Sequence, residues 1–276
     1  MTTVATGQGV RQAKFTLANV TAGGPQLPPR VMVYGVDGVG KSSWAAASNC
    51  PIFIPTEDGA NRVVTPEGQL VPQFPLCTDW MEVFDCLRAL ASDKHEYKTV
   101  VLDSADWAQT LANAHVVREE CGGDVNKFDD YGKGYKGLFR EWCKLLQAFD
   151  WLHKKRGMGV ILIAHSTVRP VKNPNGPDYD KWESNLINSM NTSIWNKTKE
   201  WCEIVMFANF DIVIKPAGDH ENAKGVMKKG EKARVLFVAP SAAYDSKVRA
   251  GWSLPDTLPL DYSAFAKAVA GQAVAQ

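Results

Sequence analysis

The 276-residue chain contains no run of 18 uncharged apolar residues, which excludes an ordinary membrane-spanning helix. It has no excess of either charge. Its 31 basic and 30 acidic residues leave a net +1, so bulk charge does not draw it to nucleic acid, while a local basic groove stays open. With 22 glycines and 15 prolines it is neither collagen-like nor of low complexity. Cys50, Cys77, Cys86, Cys121, Cys143 and Cys202 include no C-x-x-C pair. The stretch from Met1 to Pro29 lacks the apolar core of a secretory signal. Reduced, buried thiols in a cytosolic protein are therefore expected. The five histidines share no helical ligand spacing, so no histidine metal site is expected. No internal repeat and no domain linker is visible.

What is present is an alternation of short strands and amphipathic helices. Val31–Tyr34, Ile52–Ile54, Thr99–Leu102 and Val160–Ile163 are compact and apolar, as strands buried on both faces should be. Between them, Trp80, Val83, Phe84, Leu87 and Leu90 recur at helical spacing, as do Leu138, Trp142, Leu145, Leu146, Phe149 and Leu152. Basic residues and Gly157 end the second helix. This order predicts an α/β fold with a mostly parallel central sheet flanked by helices. Phe210–Lys215 and Arg234–Val238 flank a Lys-rich segment and predict a C-terminal antiparallel β-hairpin. Residues 1–29 read as a lead-in segment, with one alternating run from Lys14 to Val20, and 30–276 as one domain.

Gly35-Val36-Asp37-Gly38-Val39-Gly40-Lys41-Ser42 fits the phosphate-loop pattern G-x-x-x-x-G-K-[ST] at every fixed position. The glycines let backbone N–H groups wrap phosphate oxygens, Lys41 reaches the β- and γ-phosphates, and Ser42 ligates Mg²⁺. A strand precedes the loop, and a helix starting at Ser43 follows it, adding its dipole. Val100-Val101-Leu102-Asp103 then has the form of the strand whose Asp holds Mg²⁺ beside the loop serine. Glu57 ends the strand Pro51–Glu57 and is the expected base for the attacking water; Asp58 and Asp106 are weaker rivals.

These pieces resemble the RecA-like P-loop ATPase core. Ile161-Leu162-Ile163-Ala164-His165 resembles the strand whose polar tip senses the γ-phosphate, although RecA carries Gln at the position of His165. Within that superfamily the chain resembles phage nucleotide-binding proteins of the Sak-type single-strand-annealing group, AAA-family ATP-binding proteins. The shared features are Tyr131-Gly132-Lys133-Gly134-Tyr135, Ala164-His165, Asp178-Tyr179-Asp180 before a helix, Glu200-Trp201-Cys202, and Ser246 to Gly251. The resemblance implies ATP and Mg²⁺ as cofactors, action on single-stranded DNA, a homo-oligomeric ring or filament, no membrane, and the cytoplasm of a bacterial host. Lys247 and Arg249 resemble the K-x-R whose cations reach a neighbouring subunit's nucleotide.

Two segments have the composition of DNA-binding loops: 121–136, with Lys133, Tyr135 and Lys136, and 167–182, with Arg169 and Lys172. Their aspartates favour a plain surface-loop reading instead. Lys224, Lys228, Lys229 and Lys232 make a third basic patch or a solvated turn. Phe15-Thr16-Leu17-Ala18 resembles the F-x-x-A docking strand of Rad-type recombinases. Besides a DNA-dependent ATPase, two other functions use the same loop. One is a nucleotide-switched recombination mediator or helicase loader. The other is a small-molecule kinase, disfavoured because 167–182 holds one arginine where such enzymes carry an Arg-rich lid.

Overall fold

Val31 to Tyr34 is apolar at every position because both faces of its strand are covered. The computed structural model describes residues 17–21, 26–189, 192–211, 214–216, 225–227 and 233–271. Its parallel strands are β1 (Arg30–Gly35), β2 (Pro51–Pro55), β3 (Thr99–Asp103), β4 (Gly159–Val171) and, after β5 (Tyr179–Ser184), β6 (Ile204–Phe210). Two short strands, β7 (Ile214–Pro216) and β8 (Gly225–Met227), pair only with each other. Then come β9 (Arg234–Phe237), β10 (Lys247–Val248) and β11 (Thr257–Pro259). The sheet order is β11-β9-β6-β1-β4-β3-β2, with β9 and β11 antiparallel at one edge.

Six helices complete the fold: α1 (Lys41–Ala46), α2 (Trp80–Ser92), α3 (Ala105–Glu120), α4 (Lys133–Trp151), α5 (Ile194–Trp201) and α6 (Tyr262–Ala270). Alternate residues of β1 serve the two layers. Met32 and Tyr34 join a core with Trp80, Trp142, Phe149 and Trp195 from α2, α4 and α5. Val31 and Val33 face Trp44 of α1 and Phe265 of α6. A capping box between Asp79 and Glu82 starts α2 where the apolar periodicity begins. Among the described residues no helix is long and apolar enough to cross a membrane.

Four local expectations are corrected. The strand placed at Phe210–Lys215 lies earlier: β6 runs Ile204–Phe210 and pairs with β9 through Phe210 opposite Arg234. Its buried run Ile204-Val205-Met206-Phe207 is a central strand, parallel to β1. Segment 167–182 is mostly not loop. β4 continues to Val171 and pairs with β5 from Ser166 opposite Ser184 to Val171 opposite Tyr179. Tyr179 and Asp180 thus open a strand, and the next helix starts only at Ile194. Segment 121–136 holds two 3₁₀ turns, Val125–Phe128 and Asp130–Gly132, and the first turn of α4. Its Gly134 is there for packing rather than freedom, since a Cβ would lie 2.3 Å from the Phe128 ring. In the lead-in, Leu17–Asn19 is a 3₁₀ turn. Lys14, Phe15, Lys224, Lys228, Lys229 and Lys232 lie outside the described residues.

Candidate nucleotide site

The phosphate loop leaves β1 between its two neighbours, at the carboxyl end of the parallel strands, where such sheets bind ligands. Gly35 sits so close to β6 that a Cβ would lie 2.0 Å from the Ala208 carbonyl oxygen, and the Val36 N–H donates to that oxygen at 3.3 Å. Gly38 (φ 71°) and Gly40 (φ 107°) take left-handed backbone that turns the loop. The loop wraps Lys41. Its Nζ donates to the Gly35 and Val36 carbonyls at 2.9 and 3.0 Å, and the side chain is buried. Burial lowers the lysine's pKa, opposed by Asp37, Asp106, Asp103 and Glu57. The helix that follows, α1, is only six residues long, so Lys41 and the loop amides carry the anion site more than a macrodipole does.

Asp103 ends β3, buried, with the Ser42 hydroxyl hydrogen-bonded to it. Burial raises its pKa against Ser42, Lys41 and His165. A carboxylate and a hydroxyl are hard oxygen donors of the kind Mg²⁺ takes, with phosphates and water completing its shell. Among the described residues no group of three or more His, Cys, Asp or Glu could hold a metal unaided. Those two side chains fit a cation that arrives with its phosphates.

Glu57 lies two residues beyond β2, about a quarter exposed. Burial raises its pKa, and His165 opposes this. Its rivals are engaged elsewhere: Asp58 accepts from Asn61 at 3.0 Å, and Asp106 is bound to His165. β4 places His165 directly opposite Gly35. Its Nδ1 is 2.8 Å from Asp106 Oδ2, and its backbone N–H donates to Oδ1 at 3.1 Å. The other ring nitrogen faces Asp37 at 3.8 Å and Glu57 at 4.0 Å. The Asp106 hydrogen bond raises the histidine's pKa against burial. Burial alone would raise the Asp106 pKa, but its bonds with His165 bring it below the usual carboxylate value.

Lys41, Ser42, Ser43, Glu57, Asp103 and His165 converge on one cavity of about 310 Å³, which Gly38, Gly40 and Ile163 also line. It opens past Glu57 and His165 into a wider cleft of about 590 Å³ flanked by Asp37, Asp106 and Trp107. Val39 is fully buried beneath the loop. The AAA domain family model matches residues 27–250. The chain belongs to the AAA-domain family. It is a P-loop ATPase of the AAA type. It is also 23% identical over 163 residues to the SPbeta prophage-derived uncharacterized protein YorG of Bacillus subtilis (strain 168). The match covers 57% of this chain and 46% of that protein, so the chain spans about half of its relative's length.

Other residues singled out from the sequence lie apart from the nucleotide cavity of this AAA domain. β10 pairs with Ile204 and Val205, at the start of β6 and away from the loop. There Lys247 donates to the carbonyls of Lys199, Glu200 and Cys202 at 2.6, 3.0 and 2.8 Å. Arg249 donates to Glu200 at 2.6 Å. The two cations cap the carboxyl end of α5. Lys133 donates to the Glu120 carbonyl at 3.0 Å, and the Tyr135 ring packs edge-on against Phe128 at 5.0 Å. Arg169 donates to Leu186 at 2.8 Å, Lys172 pairs with Asp178 at 2.5 Å, and Lys136 is exposed. Sequence reasoning missed the role of Asp106 as His165's partner. The available signal was its place three residues after Asp103, on the first turn of the next helix.

Proposed function

We propose that this chain binds and hydrolyses Mg-ATP and acts on single-stranded DNA in phage-type recombination or annealing, as a homo-oligomer of the Sak-type group. The observation that carries the hydrolytic part is the convergence of Lys41, Ser42, Asp103 and Glu57 on one cavity. The loop amides and Lys41 hold the β- and γ-phosphates. Ser42 and Asp103 hold the Mg²⁺, which offsets charge on the phosphoryl group. Glu57, whose raised pKa keeps it basic yet able to carry a proton, orients the attacking water and accepts its proton. His165, fixed by Asp106, stands where the γ-phosphate ends, so its tip and the β4–β5 hairpin beyond it register the nucleotide state.

The prophage origin in the relative's name supports the phage setting. Exposed Lys136 and Lys172 offer phosphate contacts of the sequence-independent kind. Since Arg249 caps its own α5, a reach into a neighbouring subunit requires that cap to be released on assembly. The mediator or helicase-loader reading uses the same site as a switch. ATP turnover measured with and without single-stranded DNA tests the proposal. Stimulation by DNA, with salt-sensitive and ATP-strengthened binding, supports it. Turnover indifferent to DNA, with no binding at low salt, removes the DNA role.

A further inference from the structure

Arg234, which the sequence did not single out, brings a guanidinium against the outer side of the phosphate loop. A Cβ built on Gly40 would lie 2.8 Å from its Nη1. Strand order puts it there, because β9 begins at Arg234 opposite Phe210, where β6 ends on the loop side of the sheet. The side chain is exposed and, among the described residues, makes no hydrogen bond or ion pair.

Beside it is a cavity of about 420 Å³ walled by Ser43, Trp44, Leu260 and Tyr262, within the roughly 300–1,000 Å³ of small-molecule sites. It shares Gly40 and Ser43 with the phosphate cavity. Glu57, Asp103 and His165 line only the phosphate cavity. A nucleotide whose terminal phosphate meets those groups must leave over Gly40 and Ser43, past Arg234. The wall is rigid: Trp44 meets Tyr262 edge-on at 5.0 Å and Phe265 at 5.3 Å. Asp261, the acid that could read guanine's donors, is used to cap α6, accepting from Ser263 and Ala264 N–H at 2.6 and 3.2 Å. The Ser43 and Ser263 hydroxyls remain, and a hydroxyl serves as donor or acceptor alike.

We propose that this second cavity takes the nucleoside half of the nucleotide, with Arg234 set against the phosphate nearest the sugar. We further propose that it distinguishes adenine from guanine only weakly. The proposal rests on the phosphate-site reading above. Its test is calorimetric titration of ATP, GTP and inorganic tripolyphosphate, each with Mg²⁺, into the wild type, Ser263→Trp, Arg234→Ala and Lys41→Ala. In the wild type ATP and GTP bind within about fivefold of each other and both more tightly than tripolyphosphate. Ser263→Trp, at an exposed position checked by thermal unfolding, brings ATP down to the tripolyphosphate level and leaves tripolyphosphate unchanged. Arg234→Ala weakens both ATP and tripolyphosphate by about tenfold, one charge-assisted contact. The nucleoside assignment is overturned by equal wild-type affinity for ATP and tripolyphosphate, or by unaltered ATP binding in a folded Ser263→Trp protein. Guanine rejection of about a hundredfold or more overturns the weak discrimination. Unaltered binding of both ligands by Arg234→Ala overturns its contact. Failure of the phosphate-site reading looks different: tripolyphosphate does not bind the wild type, or Lys41→Ala binds every ligand normally.

Discussion

The two ends of β1 each carry one cation, and the surroundings of the two differ. At the amino end, Arg30 is paired with Glu203 and Asp150, and its guanidinium lies 4.7 Å over the Trp201 ring. Those bonds and charges raise the Arg30 pKa against burial. At the carboxyl end, Lys41 touches only backbone carbonyls, and burial lowers its pKa although four carboxylates face it. A charge met by partners at bonding distance holds the fold. A charge held among carboxylates without contacting any of them is set for a ligand that brings its own charge and cation.

The comparison breaks most sharply under matched alanine substitutions. Lys41→Ala is expected to abolish ATP turnover and most ATP affinity while leaving the unfolding midpoint near wild type. Arg30→Ala is expected to cost about 3 kcal/mol of stability, because it strands Glu203 and Asp150, partly buried, without their cation. Its folded fraction should still turn over ATP. Denaturant unfolding beside a phosphate-release assay reads both, and an inactive but stable Arg30→Ala protein would erase the distinction.

Arg249 sharpens the same contrast, since its cap of α5 places it with Arg30 and a trans contact would place it with Lys41. The cap predicts that Arg249→Ala loses about 1 kcal/mol of stability. The proposed assembly adds that hydrolysis is lost with ATP binding kept, and that wild-type specific activity rises with protein concentration. Flat specific activity across dilution leaves Arg249 as a structural cap alone.

The smallest effect concerns pH. His165 has a raised pKa, so its stabilisation by Asp106 is complete below the unfolded histidine value of about 6.5 and is lost as pH rises through the folded value. Asp106 has a lowered pKa, so its share is present above about 3.9 and is lost as pH falls through its folded value. The pair is thus strongest between those limits. In Asp106→Asn the His165 pKa should fall, read by histidine NMR titration, and the stability gap to wild type should narrow above neutral pH. An unchanged His165 titration would remove the pair.

Much of the site was legible in the sequence, because a phosphate loop is local. Gly35 to Ser43 needs only its own spacing, and Asp103 and Glu57 stand at strand ends that their apolar runs mark. Features that depend on strand order were not legible. β6 has a continuous apolar run with no periodicity, so nothing in it announced a strand beside β1. Arg234 is 194 positions after Gly40 and meets it only because β9 lies against β6. The Asp106–His165 bond likewise needs β3 and β4 to be neighbours. Gly134 misled in the opposite sense: glycine read as loop freedom is the close approach of α4 to Phe128.

The most direct measurement of the central claim, hydrolysis at this cavity with Glu57 as base, is ATP turnover and ATP binding by Glu57→Gln. The substitution keeps the side chain's shape and removes only its ability to take a proton. The expected result is wild-type-like ATP binding with turnover reduced by roughly 10²–10⁴-fold, the usual contribution of a positioned base. Normal turnover by a folded, ATP-binding Glu57→Gln protein would contradict the account.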